Sequence, residues 1–291
     1  MKIDPKHFRV PVGQKVRLAH WSTRIKRFYR SPKQYKQRLA ADVAELSALQ
    51  QLLYASNDRA VLLIFQAMDA AGKDGAIGHV LSGVNPQGCE VHSFKAPSAE
   101  ESAHDFLWRA AVRLPGRGRI GVFNRSYYEE VLIVRVHPGL LGGEGRSDVS
   151  GPDKKFWRQR HHSIVEWEKH LHRNGTTIIK FFLHLSKKEQ GRRFLARIDE
   201  PDKRWKFNLA DVAERRCWPK YRRAYEDCLG ATSTKSAPWH VVPADDKLNA
   251  RLIISRIVIE ALQRLNLSLP KLSAAHRREL QLARRQLMSQ R

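Results

Sequence analysis

The chain has 291 residues, 53 of them Lys or Arg and 29 Asp or Glu, for a formal net charge of +24. Hydrophobic residues make up 42%, enough to bury a sizeable core, so a wholly disordered chain is excluded. The charge favours a polyanionic partner without choosing between nucleic acid, an anionic membrane and a phosphate chain. The apolar runs are too short to span a bilayer. The three cysteines, Cys89, Cys217 and Cys228, are odd in number and lack C-x-x-C spacing, which argues against a disulfide framework or thiolate metal site and fits a reducing cytoplasm.

The N-terminal stretch MKIDPKHFRVPVG has no apolar core or cleavage site, so it does not read as a signal peptide. Residues 1–30 read as a basic arm dotted with aromatics, suited to polyphosphate, nucleic acid or a neighbouring subunit. Ser31-Pro32 is a helix start, an N-cap followed by proline in the first turn, and Leu39, Val43, Leu46, Leu49 and Leu53 continue it as an amphipathic helix. Five β-rich runs follow: VLLIF (61–65), CEVHSF (89–94), RIGVF (119–123), TTIIKFFL (176–183) and WHVVP (239–243). Helical patterns separate them, which predicts a five-stranded parallel sheet with helices on both faces in one domain over residues 31–270. His137–Gly151 is a glycine-rich loop. An Arg- and Lys-rich helical insertion, about 186–230, falls where it could cover the crevice at the strand ends as a lid. Residues 271–291 read as a basic helix or tail.

The first run continues as VLLIFQAMDAAGKDGAI. A buried strand running into small residues, Gly-Lys and a helix is the setting of a phosphate-binding loop, for which the pattern is G-x-x-x-x-G-K-[ST]. Here Ala67 replaces the first glycine and Asp74 the Ser/Thr. Ala70, Ala71 and Gly72 permit close approach of the backbone to oxygen atoms. Lys73 adds a point charge, and the helix starting near Gly75 adds free N–H groups and a positive dipole end. Asp69 would repel a bare phosphate. It either works with Mg²⁺ to orient an attacking oxygen, or accepts loop N–H groups and fixes the turn.

The third run ends in FNRSYYEE. Arg125 stands at the strand's carboxyl end, suited to bidentate phosphate contact or to pairing with a neighbouring acid. Asn124 occupies the position where such enzymes carry a metal-binding aspartate, and Glu129 or Glu130 could supply the carboxylate instead.

FQAMDAAGKDGAI, HDFLWR with LPGRG, FNRSYYEEVLIVRVHP, KFFLHLSKKEQGRRFLARI with WKF, and ATSTKSAPWHVVPADDK occur in this order between about Tyr35 and Leu267. In these blocks the chain resembles the type-2 polyphosphate kinases, most like their third class, which phosphorylates nucleoside mono- and diphosphates. The resemblance implies a three-layer P-loop kinase fold with a helical lid. It implies a catalytic set of Asp69, Lys73 and Arg125, and polyphosphate contacts from Ala70, Ala71, Gly72, Lys73, Asp74, Gly75, Arg193 and Arg197. Nucleotide contacts would come from Asn124, Arg125 and Glu129, and Mg²⁺, with Mn²⁺ as a substitute, would sit on Asp69 and Glu129. The expected partners are inorganic polyphosphate with AMP, ADP or the guanine nucleotides GMP and GDP, in a cytoplasmic homo-oligomer with no membrane role. Two rivals are an ATP-dependent kinase on the same fold and a nucleic-acid-binding protein with a degenerate loop, although no nucleic-acid motif is visible.

Arg109, Arg113, Arg117 and Lys180 read as solvated charges or as an extension of a basic channel. His162, Glu166 and His170 share a helix face at a spacing that can hold zinc, but a solvated or packed face is the simpler reading. Trp157, Trp167, Trp205, Trp218 and Trp239 read as core anchors.

Overall fold

The structure is a computed structural model and describes residues 2–144 and 153–290. Its elements are α1 (Pro32–Ser56), β1 (Ala60–Ala67), α2 (Lys73–Val80), β2 (Cys89–Ser93), α3 (Ala99–Ala103), α4 (Trp108–Ala111), β3 (Ile120–Asn124), α5 (Glu129–Val136), α6 (Lys154–Arg173) and β4 (Thr176–His184). They continue as α7 (Lys187–Asp199), α8 (Leu209–Glu214), α9 (Trp218–Thr232), β5 (Trp239–Pro243), α10 (Lys247–Gln263) and α11 (Ala274–Ser289). Of the expected glycine-rich loop, Pro138–Glu144 forms a 3-10 helix and residues 145–151 lie outside the described residues.

Local chemistry sets the helix ends. The Ser31 hydroxyl accepts from the Gln34 N–H, Pro32 occupies the first turn, and Asn57 at φ 51 closes α1 in the left-handed region. The strands pair in the order β2-β3-β1-β4-β5, all parallel. Along β1, Val61, Leu63 and Phe65 face a core shared with α1, α2 and α10, whereas Leu62 and Ile64 face one shared with α5, α6 and α9. Burial on both sides explains why these runs are continuously apolar rather than alternating. The result is a three-layer α/β fold. The chain crosses from one side of β1 to the other, which opens a crevice at the carboxyl ends of β1, β3 and β4.

The N-terminal arm is part of this body. Phe8, Val10, Val16, Leu18 and Tyr29 are buried, and the Val10 N–H donates to the Trp239 carbonyl at 2.8 Å. Its apolar residues follow no single period because they dock into three clusters: Phe8 on one side of the sheet, Val10, Val16 and Leu18 on the other, and Tyr29 against α1 and α10.

Lys180 corrects both readings of its charge. It is 0% exposed, its Nζ 2.6 Å from Glu168 Oε2, 2.8 Å from the Tyr128 hydroxyl and 2.8 Å from the Thr232 carbonyl. Arg109 is also buried, held by the Lys95 carbonyl and Glu101. Trp157 and Trp239 are core residues, but Trp205 is 78% exposed. Glu166 pairs with Lys169 at 2.9 Å on the outer face of α6. α11 has no buried residue. Among the described residues no helix is long and apolar enough to cross a membrane.

Candidate active site

The loop after β1 turns sharply into α2. Ala70 at φ 61 and Gly72 at φ 97 adopt left-handed backbone, where glycine is free and alanine is strained. The first helical bond of α2 runs from the Ala76 N–H to the Gly72 carbonyl, so the N–H groups before it have no acceptor within the helix. Lys73 starts the helix, with Nζ 3.4 Å from the Ala67 carbonyl. Its pKa is lowered, first by burial and then by Arg125.

Arg125 also has positive φ, 65°, and its N–H donates to the Phe65 carbonyl, tying the end of β3 to β1. That backbone turns the guanidinium into the crevice. There Nη2 lies 3.4 Å from Asp69 Oδ1, and Nη1 3.9 Å from Glu129 Oε2. Glu129 has a raised pKa because burial outweighs the pull of Arg125 and Lys73. Glu130 turns away toward Arg160, 3.6 Å distant, which leaves Glu129 as the carboxylate of this corner. The Asn124 amide donates to Asp74 Oδ1 at 2.7 Å, joining the end of β3 to the first turn of α2. Asp69 and Glu129 flank Arg125 from two sides, and their hard oxygen donors suit Mg²⁺ or Mn²⁺ better than a soft metal.

The helical insertion between β4 and β5 closes over the loop. Gln190 donates to the Asp69 carbonyl at 3.0 Å. Arg193 is 4% exposed and commits its guanidinium wholly to the protein. Nε donates to Glu189 at 2.9 Å, Nη1 to the carbonyls of Ala70 and Ala71 at 3.0 and 2.8 Å, and Nη2 to those of Ala244 and Asp245 at 2.5 and 3.4 Å. That engages all five of its N–H donors. Its position is that of a brace between insertion and loop, with its edge on the cleft. Arg197 is held more loosely, 3.4 Å from both Asp211 and the Lys206 carbonyl.

Two cavities meet here. One, about 970 Å³, runs past the loop, Arg125, Arg197 and the exposed Trp205; ten of its lining residues are Lys or Arg and four are Asp or Glu. Sequence reasoning missed Lys203, Lys206, Lys247 and Arg251 in this wall. The only signal was that Asp246, an N-cap, sets Lys247 at the mouth of α10, with Arg251 one turn on. The other cavity, about 270 Å³, is walled by Trp218, Tyr221 and Tyr225 with four carboxylates against two arginines. Asp69, Arg125 and Asp211 line both.

A parallel five-stranded sheet in this order, with a lysine-bearing loop after its central strand and a helical insertion over the crevice, defines an α/β protein of the P-loop kinase type. The chain belongs to the polyphosphate kinase 2 family: residues 29–269 match the family described as "Polyphosphate kinase 2 (PPK2)". It is 60% identical over 288 residues to an ADP-polyphosphate phosphotransferase of Rhodopseudomonas palustris, covering 99% of this chain and 100% of that one. It is 44% identical to an AMP/ADP-polyphosphate phosphotransferase of Meiothermus ruber, over 78% of this chain and 80% of the relative. The crystal structure of polyphosphate kinase 2 from Arthrobacter aurescens TC1 superposes with a TM-score of 0.86 at 39% identity, covering 97% and 99% of the two chains.

Proposed function

We propose that the chain transfers phosphate from inorganic polyphosphate to nucleoside phosphates, taking both AMP and ADP as acceptors. The observation that carries this reading is the meeting of two unlike cavities at Asp69 and Arg125. The basic cleft suits a linear polyanion, whose charge repeats at every phosphate. The smaller pocket has aromatic faces for a base and enough carboxylate to hold a divalent cation beside the nucleotide phosphates.

In this mechanism Lys73, Arg197, Lys247 and the free N–H groups of α2 hold the donor chain. Arg125 holds the acceptor's terminal phosphate, and Asp69 orients its attacking oxygen. That oxygen forms a bond to the terminal phosphorus of polyphosphate while the bridging P–O bond behind it breaks. The products are a nucleotide longer by one phosphate and a chain shorter by one. Positioning and charge neutralisation supply most of the rate, and no covalent enzyme intermediate is needed. Asp69 and Glu129 would hold Mg²⁺ or Mn²⁺, which when bound neutralises charge on the transferring group. Arg193 acts by holding the carbonyls of Ala70 and Ala71, which keeps the loop's N–H groups turned to the cleft. The resemblance to the family's third class motivates the double acceptor range. The family resemblance extends the proposal to a cytoplasmic homo-oligomer.

The test is the purified chain with Mg²⁺, polyphosphate and AMP, ADP, GMP or GDP separately, with products resolved by chromatography. ADP from AMP and ATP from ADP are expected without any ATP input. Turnover of ADP alone would restrict the acceptor class, and no product from any nucleotide would sink the proposal.

A further inference from the structure

Cysteine spacing in the sequence offers no metal site, yet the fold assembles one candidate. His137 caps the C-terminus of α5, Glu214 ends α8, and Cys217 stands directly before α9. Their ligand atoms, an imidazole nitrogen, a carboxylate oxygen and a thiol sulfur, all lie within 4.8 Å of one another. His137 Nε2 is 3.0 Å from Glu214 Oε2, and the Tyr221 hydroxyl donates to the same oxygen at 2.9 Å. Tetrahedral zinc, with sulfur at about 2.3 Å and nitrogen or oxygen at about 2.0–2.2 Å, sets its ligand atoms roughly 3.5 Å apart. The triad therefore has to draw in by up to about 1.3 Å to reach that geometry. The three groups are half-buried, so a metal can enter without opening the core.

The setting favours a cation. On a chain of net charge +24, the adjoining pocket wall carries Asp69, Glu129, Asp211 and Glu214 against Arg125 and Arg215; Asp69 and Glu129 face Arg125, which leaves Glu214 to the cluster. Arg215 is directed away, with Nη1 donating to the Lys187 carbonyl and to Gln190 Oε1. The ligand chemistry separates this cluster from the Asp69 and Glu129 corner: thiolate with imidazole selects borderline-soft metals, whereas carboxylates alone select Mg²⁺.

We propose that His137, Glu214 and Cys217 form a binding site for a zinc-class divalent cation where the junction of α8 and α9 meets the end of α5. Three protein ligands leave a fourth position for water. Occupancy ties the end of α5, the helix that begins with Glu129, to the segment joining α8 and α9. Both walls of the smaller pocket are thereby held in the arrangement seen here, with the insertion over the loop, and zinc inhibits turnover by restraining the opening that substrate entry and product release require.

The binding test uses the full metal-free chain with Co²⁺ as probe, and does not depend on the phosphotransfer reading. A near-ultraviolet thiolate-to-cobalt charge-transfer band is expected, retained in Cys89→Ser and lost in Cys217→Ser. Zn²⁺ affinity by equilibrium dialysis should fall at least ~10-fold in Cys217→Ser and in His137→Asn. No band in the parent chain, or a band that survives Cys217→Ser, overturns the site. In the presence of excess Mg²⁺, Cys217→Ser should turn over at the parent rate and resist Zn²⁺ at concentrations that inhibit the parent. Equal zinc sensitivity of the two overturns the coupling to turnover.

Discussion

Arg125 Nη2 lies 3.4 Å from Asp69 Oδ1, across the rim that the basic cleft and the smaller pocket share. Each partner comes from the end of a different strand, and neighbouring backbone at both ends has positive φ, at Ala70 and at Arg125 itself. Strained backbone persists only where its surroundings over-determine it, and it concentrates at working sites. The bonds from Arg193 and Gln190 to the loop, and from the Arg125 N–H to Phe65, supply that determination here.

Asp69→Asn and Lys73→Ala should each lower kcat for polyphosphate-driven phosphorylation by about 100- to 1,000-fold, the scale for loss of one preorganised charge. Neither side chain supports the core, so circular dichroism and the thermal transition should stay near those of the parent. Rates within tenfold of the parent in either variant would remove that residue from the chemistry.

Arg193 and Arg197 should separate. Arg193→Ala leaves Glu189 without one of its two arginine partners and frees the carbonyls of Ala70, Ala71 and Ala244. Breaking such a buried pair costs about 3 kcal/mol, so Tm and kcat should fall together. Arg197→Ala should leave Tm unchanged and raise KM for polyphosphate several-fold. Denaturant titration with steady-state kinetics on both variants decides, and an Arg193→Ala protein of parental stability would refute the brace.

Lys247 provides a pH signature. Its pKa is pulled down to about 8, first by burial and then by Arg193. The side chain is charged below that value and neutral above it, so the cleft loses a cation as pH rises through about 8. KM for polyphosphate should rise roughly fivefold across that step, the worth of about 1 kcal/mol for a partly solvated charge. In the unfolded chain the same lysine keeps its proton up to its ordinary value of 10.5, so its effect on folding runs the other way: stability rises with pH between the two values. Lys247→Arg should flatten the KM profile, and an unchanged profile would exclude Lys247 from donor binding.

The buried network behind the site is open to a mutant cycle. Lys180→Met strands Glu168, which also accepts from the hydroxyls of Tyr127 and Tyr128 at 2.7 and 2.8 Å. The expected loss is about 3–5 kcal/mol, and Glu168→Gln in the same chain should restore at least about 1 kcal/mol by removing the unpaired charge while keeping an acceptor. Additive losses, measured by urea unfolding, would mean that the two residues do not act as a pair.

The five strands, the start of α1 at Ser31 and the loop between Ala67 and Gly75 were legible because apolar runs, N-caps and Gly-Lys corners act over a few neighbouring residues. The same residues, by resemblance, named Asp69, Lys73 and Arg125. Charge partners were not legible. Lys180 lies in the run TTIIKFFL, and nothing local says that Glu168 from α6 meets it in the core. Trp239 and Trp205 are the same residue type, yet one is wholly buried and the other 78% exposed. Arg193 sits in a sequence that advertises a free cation, but the fold delivers five acceptors to it. The sequence by itself determined which elements form and which loop could meet a phosphate, because hydrogen-bond period and backbone preference are local. Only the tertiary structure decided which cations remain free to bind and which are committed, because that depends on distances between groups far apart along the chain.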